Sequence, residues 1–342
     1  MDRFETSTGV VIVTHNSSEV IGDCLDALGG LRVVVVDNAS ADDTVARASG
    51  RLHVAVIANL ENRGFAGGVN QGIAALDCDL ILILNPDAVI VSPLESLAAA
   101  CREFGLAAGR LIDAGGQTQV GFTIRRFPTP LTLTFEVLGV NSIWPGNPVN
   151  RRYRYLDRDA LRAGPVEQPA GAFLMLRRDV WREAGGLDES FYPVWFEDVD
   201  FCLRARQLGI VGQYVPEVVA RHVGGHSVGQ IPEACRPIYW YVSLLRYAFK
   251  HFSTVQARGI AVAVILGAIP RAVLGIVLER NLKPLGVYLK VVRLGGQCAF
   301  AIRASRFDRV KERGRTVALA ATGGRQVKVQ NNEAGEPHLH GL

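Results

Sequence analysis

Charge is in short supply. Of the 342 residues, 20% are Asp, Glu, Lys or Arg against 49% hydrophobic, which excludes a chain kept unfolded by polarity and self-repulsion. A chain this long can bury the core of one large domain with an appendage, or of two domains. Paired cysteines are missing as well: Cys24, Cys78, Cys101, Cys202, Cys235 and Cys298 are scattered without CxxC spacing. Several stand in apolar periodic surroundings, read as core, and fit a reducing cytosol. The opening MDRFETSTG has no basic segment followed by an apolar run, so it does not read as a secretory signal. Unbroken apolar length is limited too. The longest run, GIAVAVILGAI (259–269), meets Pro270 and Arg271 before AVLGIVL (272–278), short of the ~20 residues that span a bilayer. No internal repeat is present.

What is present is unevenly spread. From 258 to 315 stand twelve Lys and Arg against three acids, so the remainder of a chain of net charge +4 is acidic. The first hundred residues alternate strand and helix signals. VVIVT (10–14), VVVV (33–36), VAVI (54–57) and LILIL (80–84) are short continuous apolar runs. After the first, Val20, Ile21, Cys24, Leu25 and Leu28 recur at helical spacing behind Ser17 or Ser18 as a cap. Ser40 to Asp43 reads as a capping box, a helix is expected from about Ala66 to Leu76, and Ser92 before Pro93 starts another. Continuous apolar strands separated by helices predict a mostly parallel sheet covered on both faces.

Ligands of such sheets bind beyond the carboxyl ends of the strands. Those ends carry THN (14–16), DNAS (37–40), NRGFAGG (62–68) and NPDA (85–88). A dinucleotide-binding dehydrogenase needs its glycine-rich turn straight after the first strand. Here that turn holds no glycine, and GFAGG (64–68) lacks the GxGxxG spacing. Taken singly, each group has an ordinary explanation: Asp37 and Asn38 as an Asx turn, Gly64, Gly67 and Gly68 as positive-φ or close-packing glycines, Pro86 and Asp87 as a turn. Four such groups at four successive strand ends point to a binding edge instead.

The order of motifs resembles the family 2 glycosyltransferases, and among them the non-processive, rhamnosyltransferase-like bacterial branch. The matching segments are VVIVTHN (10–16), VVVDNAS (34–40), NRGFAGGVN (62–70), LILNPD (82–87), GAFLMLRR (171–178), GGLDESFY (185–192), FEDVDFCLR (196–204) and HVGGHS (222–227). The resemblance implies a GT-A fold, an α/β Rossmann-like and mostly parallel sheet with helices on both faces, and transfer of a sugar from a nucleotide diphosphate donor. It implies nucleotide contacts from Thr14, Asn16, Asp37, Asn38, Arg63, Gly64 and Asn85. A carboxylate such as Asp37 is a strong acceptor for the N3–H of uracil or thymine; cytosine lacks that proton, so dTDP- or UDP-sugars are the expected donors. Asp87 matches the last acid of the family's DXD motif, whose first position is Asn85 here. His222 matches the downstream histidine that completes a site for Mg2+ or Mn2+, with His226 the weaker candidate.

Within FEDVDFCLR, the resemblance assigns Asp198 as the general base that takes the proton of the acceptor hydroxyl, with Glu197 beside it raising its proton affinity. Trp195 and Glu197 are the expected acceptor contacts. A helix beginning near Asp198 places the acids in its first turn, where the helix dipole favours them, and lets Asp200 pair with Arg204 in a structural role. A retaining double displacement needs two opposed carboxylates, and nothing outside this cluster offers the second, so inversion is expected.

The Gln-x-x-Arg-Trp motif of processive relatives is missing, which implies one sugar per encounter. Acceptor specificity is expected between about 110 and 165, where the arginines of RRFPT (125–129) and RRYR (151–154) either meet a diphosphate or form a solvated basic face. The expected organisation is a glycosyltransferase domain over 1–232 (donor half to about 110, acceptor half from about 111), a basic and apolar helical region over 233–315, and a disordered tail over 316–342. PIYWYVSLLRYAFKHF (237–252) is helical in period. Apolar helices on the cytoplasmic leaflet, with the basic residues of 280–315 drawn to anionic lipid, give an enzyme peripheral at the inner face of a bacterial membrane. A single span, a lid or a homo-oligomer interface are the other uses of this region. The expected partners are a dTDP- or UDP-sugar, dTDP-rhamnose first, and a glycan or polyprenyl-diphosphate-linked saccharide; nucleic acid is not among them. A catalytically silent sugar-binding module would share the fold. A nucleotidyltransferase would carry a glycine-rich loop and Lys or Arg after the first strand, which THNSS (14–18) lacks.

Overall fold

A computed structural model describes residues 8–300; the basic residues beyond 300 and the expected tail lie outside the described residues. The four apolar runs form β1 (Thr8–Thr14), β2 (Arg32–Asp37), β3 (Val54–Ala58) and β4 (Leu80–Leu84), separated by α1 (Ile21–Asp26), α2 (Thr44–Ala48) and α3 (Gly64–Ala75). The chain continues through β5 (Ala88–Ile90), α4 (Glu95–Phe104), β6 (Leu106–Ile112), β7 (Ile124–Arg125), α5 (Pro130–Leu138), α6 (Val140–Ile143) and α7 (Pro148–Tyr153). It closes the sheet with β8 (Gly164–Val166), β9 (Gln168–Pro169), β10 (Phe173–Arg177), α8 (Arg178–Glu183), α9 (Glu197–Gln207) and β11 (Gly212–His222). The last described helices are α10 (His226–Gly229), α11 (Arg236–His251), α12 (Thr254–Glu279) and α13 (Lys283–Phe300).

The large sheet runs β3-β2-β1-β4-β10-β6-β11-β5, with β8 beside β11; β7 and β9 form a separate pair. β1 to β4 are parallel, β10 is antiparallel to β4 and β6, and β11 is parallel to β6 but antiparallel to β5 and β8. This is the GT-A arrangement, a mixed and mostly parallel sheet. Successive residues of each apolar run serve opposite faces. Val10, Ile12, Val33, Val35, Leu82 and Leu84 pack with α1 and α4 on one side. Val11, Val13, Val34, Val36, Ile81 and Ile83 pack with α3 and α9 on the other. Gly68 is a packing glycine, because a Cβ there would sit 2.7 Å from Val13 Cγ1.

None of the three expected caps forms. α1 starts behind Val20 and α2 behind Asp43, neither with a side-chain cap. Ser40 instead donates its hydroxyl to Asp37, and Ser92 accepts the Val219 N–H at 2.7 Å while α4 begins after Leu94. α3 begins two residues earlier than expected, at Gly64, whose φ of 75° suits glycine.

α12 differs more. It runs unbroken through Pro270 for 26 residues, long and apolar enough by length and composition to cross a membrane. Arg271, which interrupts the apolar run in sequence, turns inward. Its guanidinium donates to the carbonyls of Val137, Glu136 (3.0 Å) and Gly267 (2.9 Å), capping the end of α5. Gly267 permits that crossing, since a Cβ would lie 1.9 Å from the Val137 oxygen. One face of α12, including Ile260, Ala261, Val264 and Ala268, is buried. The other exposes Leu266, Ile269, Val273, Leu274, Val277 and Leu278.

Candidate active site

Parallel register brings the first two strand ends together, with Thr14 opposite Asp37 and Asp37 opposite Ala58. Asp37 is 2% exposed. Its Oδ1 accepts from Thr14 Oγ1 (2.8 Å) and Ser40 Oγ (2.5 Å), and its Oδ2 from Ser40 N–H (2.9 Å). One lone pair on Oδ2 is left for a ligand. Asn16, at φ 50°, accepts the Ala41 N–H on its side-chain oxygen and donates its own N–H to Ser40. Asn38 bridges to the third strand end: its amide donates to Gly64 O (3.0 Å), while its oxygen accepts from Arg63 N–H (3.3 Å) and Asn59 (3.2 Å). Gly64 packs against the loop before α9, where a Cβ would lie 2.9 Å from the Tyr192 ring. The Arg63 side chain leaves this edge for a shallow cleft with Asn70, Gln71 and Trp181, 3.8 Å from Glu189. Five of the six thus form one edge, bonded to each other or to Ser40, Ala41 and Asn59, and Arg63 joins it through its backbone N–H alone.

The fourth strand end is different. Antiparallel pairing sets His222 of β11 opposite Ala88 of β5, which carries the ring to Asp87. His222 Nε2 lies 3.4 Å from Asp87 Oδ1 and 3.4 Å from Asn85 Nδ2. Both residues are buried; Asp87 Oδ2 accepts from Gly224 N–H at 3.1 Å, but Oδ1 has no hydrogen-bond partner. The histidine is held from behind. Gln119 Nε2 donates to the His222 carbonyl (2.8 Å), which fixes the amide so that its oxygen accepts from Nδ1 (2.9 Å). Nδ1 therefore carries a proton, and Nε2 faces Asp87. Phe122 stacks on the ring at 5.3 Å.

Asp198 stands in the first turn of α9, reached through Trp195 and Phe196, whose φ of 85° and 72° are strained for aromatic residues. Its Oδ2 accepts from Gly171 N–H (3.0 Å) and Gln168 Nε2 (3.1 Å), its Oδ1 from Val199 N–H (2.8 Å). Asp200 points away and is fully buried, bonded by Arg204 (2.8 Å), Lys250 (2.6 Å) and His251 (2.7 Å). Burial alone would raise its carboxyl; the bonds from His251 and Lys250 and the Arg204 charge prevail and hold it below the usual value. Its expected pairing with Arg204 is thus present, and two α11 residues extend it. Glu197 is 3% exposed with Oε2 unpartnered. Burial first, then the Asp198 charge, pushes Glu197 well above the ordinary range.

Asn85, Asp87, Trp195, Glu197, Asp198 and His222 all line one cavity of about 330 Å³, the size of a small-ligand pocket. Thr14, Asn16, Asp37, Asn38, Arg63 and Gly64 do not line it. His226 joins the two parts, lining the cavity and donating from Nε2 to Asn16 O (3.0 Å). Arg125 and Arg154 of the expected specificity segment also face the cavity. Sequence reasoning missed the residues that aim the site: Gln168 and the backbone of Gly171 for Asp198, Gln119 and Phe122 for His222. Only Gly171 lay within a recognisable motif.

A GT-A sheet with a carboxylate-lined pocket beyond its strand ends is the architecture of a glycosyltransferase. Residues 9–183 match the Glycosyl transferase family 2 model, just over half the chain, and the chain belongs to that family. The match ends before Asp198 and His222. A low-salt glycan biosynthesis hexosyltransferase of Haloferax volcanii is 27% identical over 214 residues, 60% of this chain and 63% of that protein. An N-acetylglucosaminyl-diphospho-decaprenol L-rhamnosyltransferase of Mycobacterium tuberculosis is 27% identical over 216 residues, 58% of this chain and 69% of that protein. The chain thus spans about two thirds of the length of these relatives. Among solved structures, S. aureus TarS 1–349 in complex with UDP-GlcNAc superposes with a TM-score of 0.51 at 15% identity, covering 92% of this chain and 88% of that one.

Proposed function

We propose that this chain moves one sugar from a nucleotide diphosphate donor to a hydroxyl of a glycan or lipid-linked saccharide, with inversion. The observation that carries the reading is that Asp198 faces the same cavity as the Asp87–His222 pair. Asp198 is the general base. Gln168 and Gly171 occupy both acceptor positions of its Oδ2 and fix its plane, so Oδ1 keeps a lone pair for the proton of the attacking hydroxyl. Trp195 offers its ring to the acceptor sugar.

Asp87 and His222 fit a divalent cation, Mg2+ or Mn2+. A buried carboxylate oxygen left without a hydrogen-bond partner, with a histidine nitrogen 3.4 Å away, is a costly arrangement that a cation between them would relieve. Among the described residues no group of three or more such ligands occurs, so diphosphate oxygens and water would complete the shell. A bound cation would supply charge neutralisation for the departing diphosphate. On the nucleotide side, the spare lone pair of Asp37 suits the N3–H of thymine or uracil. We take dTDP-rhamnose as the leading donor, a choice supported by the rhamnosyltransferase of Mycobacterium tuberculosis among the relatives; a UDP-hexose is the alternative.

The exposed apolar face of α12, with Arg280, Lys283, Lys290 and Arg293 exposed on α13 and the turn before it, supports docking on an anionic leaflet at the inner membrane face. Because the opposite face of α12 and its Arg271 are committed to protein, an in-plane orientation fits better than a span.

The test is incorporation of label from dTDP-rhamnose, with UDP-hexoses in parallel, into a bacterial membrane lipid extract by the purified chain with Mn2+. Labelled lipid from dTDP-rhamnose is expected. Label from a UDP-hexose alone moves the donor, and no label from any donor puts the silent sugar-binding module ahead.

A further inference from the structure

Beside the transfer cavity lies a second groove of about 280 Å³ that shares two walls with it, Trp195 and Trp240. Its remaining walls are Arg236, Pro237, Tyr241, Arg271 and Tyr288. No acidic side chain is among them. Arg236 donates to the carbonyls of Ile231 (2.7 Å) and Gly229 (2.8 Å), and Arg271 to those of Glu136, Val137 and Gly267. Carbonyl acceptors fix a guanidinium without cancelling its charge. Of five N–H groups each, three on Arg236 and two on Arg271 stay available. The Arg271 charge is felt across the groove: burial raises the phenols of Tyr241 and Tyr288, and Arg271 opposes it in both.

Two positioned cations among aromatic rings are the chemistry of a phosphate or diphosphate carried on an apolar molecule. The surface around the groove supplies the apolar part. Leu274 and Leu278 follow Arg271 at three and seven residues along α12, and Leu285 precedes Tyr288 by three on α13, all exposed; such spacings share a helix face with the groove residues. A sugar-sized pocket with Asp198 thus adjoins a groove with paired arginines, and exposed leucines share the helix faces of the groove residues. The donor diphosphate belongs beside Asp87 and His222, which line the cavity but not the groove.

We propose that this groove binds the diphosphate of a lipid-linked saccharide acceptor, with Arg236 and Arg271 as its ligands and the first hydrocarbon units running over Leu274 and Leu278. The acceptor sugar is thereby delivered to Trp195 and Asp198. The inference rests on the transferase reading above and adds the part of the acceptor that the cavity itself does not contact.

Trp195 and Trp240 make the groove readable by intrinsic fluorescence in the full chain. Farnesyl diphosphate is the probe, with farnesol and inorganic pyrophosphate as its separate halves, in EDTA so that no divalent cation draws the diphosphate to Asp87. Farnesyl diphosphate is expected to bind about tenfold or more tighter than either half. Arg271→Gln and Tyr288→Glu should each weaken it about tenfold, with Mn2+-dependent affinity for dTDP or UDP unchanged. Tyr288→Glu matters because it sets a like charge in the groove while leaving the Arg271 bonds to α5 in place. Equal affinity of parent and Tyr288→Glu, or farnesol or pyrophosphate binding as tightly as the whole probe, would overturn the proposal. A parent that binds nucleotide but not farnesyl diphosphate sinks the groove alone. A parent that binds neither dTDP nor UDP sinks the transferase reading beneath it.

Discussion

The two halves of the sheet edge solve opposite problems. Around Thr14, Asn16, Asp37 and Asn38, nearly every polar group is bonded to another within the protein, and the network ties three strand ends into one frame. Around Asp87 and Glu197, buried oxygens stand without partners, and the approach to Asp198 passes through two strained aromatic residues. Unsatisfied buried oxygens and left-handed aromatic backbone each cost free energy. Their concentration at one end of the site marks where ligand binding, and not stability, shapes the residues. The first half should accordingly answer to mutation mainly in folding, the second mainly in binding and turnover.

The largest expected effect breaks the reactive half. Asp198→Asn keeps the size of the side chain but removes the base, and transfer should fall about 10³-fold while nucleotide affinity holds; turnover like the parent's in the lipid-labelling assay would remove Asp198 from its role. Asp87→Ala should next lower the Mn2+-dependent gain in nucleotide affinity about 10²-fold. Gln119→Leu, which frees the His222 ring, should lower it about tenfold, since supporting partners typically contribute that much; identical Mn2+ titrations of variant and parent would contradict both.

In the framework half, Asp37→Ala strands two hydroxyls and an N–H, and should cost about 3 kcal/mol in urea unfolding. A loss confined to nucleotide affinity, with stability intact, would erase the contrast between the halves. The smallest effect lies at Glu197. Its carboxyl is raised in the folded state, so its contribution to stability is present below the ordinary 4.5 and is lost as pH rises toward its raised value. Glu197→Gln should therefore raise Tm by about 3 °C at pH 8, with less gain at pH 5. Asp200 titrates in the other sense: its contribution is present above the ordinary carboxylate range and fades as pH falls through its depressed value.

How much of this was legible in sequence follows the same division. β1, β2 and β4 are buried on both faces and the edge strand β3 only in part, yet all four are continuous apolar runs, so they and the polar groups at their ends could be read directly. The caps could not, because Ser40 and Ser92 form tertiary bonds that no local pattern encodes. Asp198, Asp87 and His222 were found through motifs, as was the segment that begins at Gly171, yet Gln168 and Gln119, which aim two of them, lie outside every motif. That Glu197 is buried, and so raised, follows from the packing around it, which spacing alone does not tell. Pro270 and Arg271 looked like an interruption of the apolar run because their partner, the carboxyl end of α5, lies some 130 residues earlier, as in the Arg271–Val137 bond.

The most direct test of the account is calorimetric titration of the purified chain with dTDP, UDP and GDP, each with and without Mn2+. The account predicts tight binding of dTDP or UDP that depends on Mn2+ and disappears in Asp87→Ala. Binding of no nucleotide, or binding indifferent to Mn2+ and to Asp87, would contradict it.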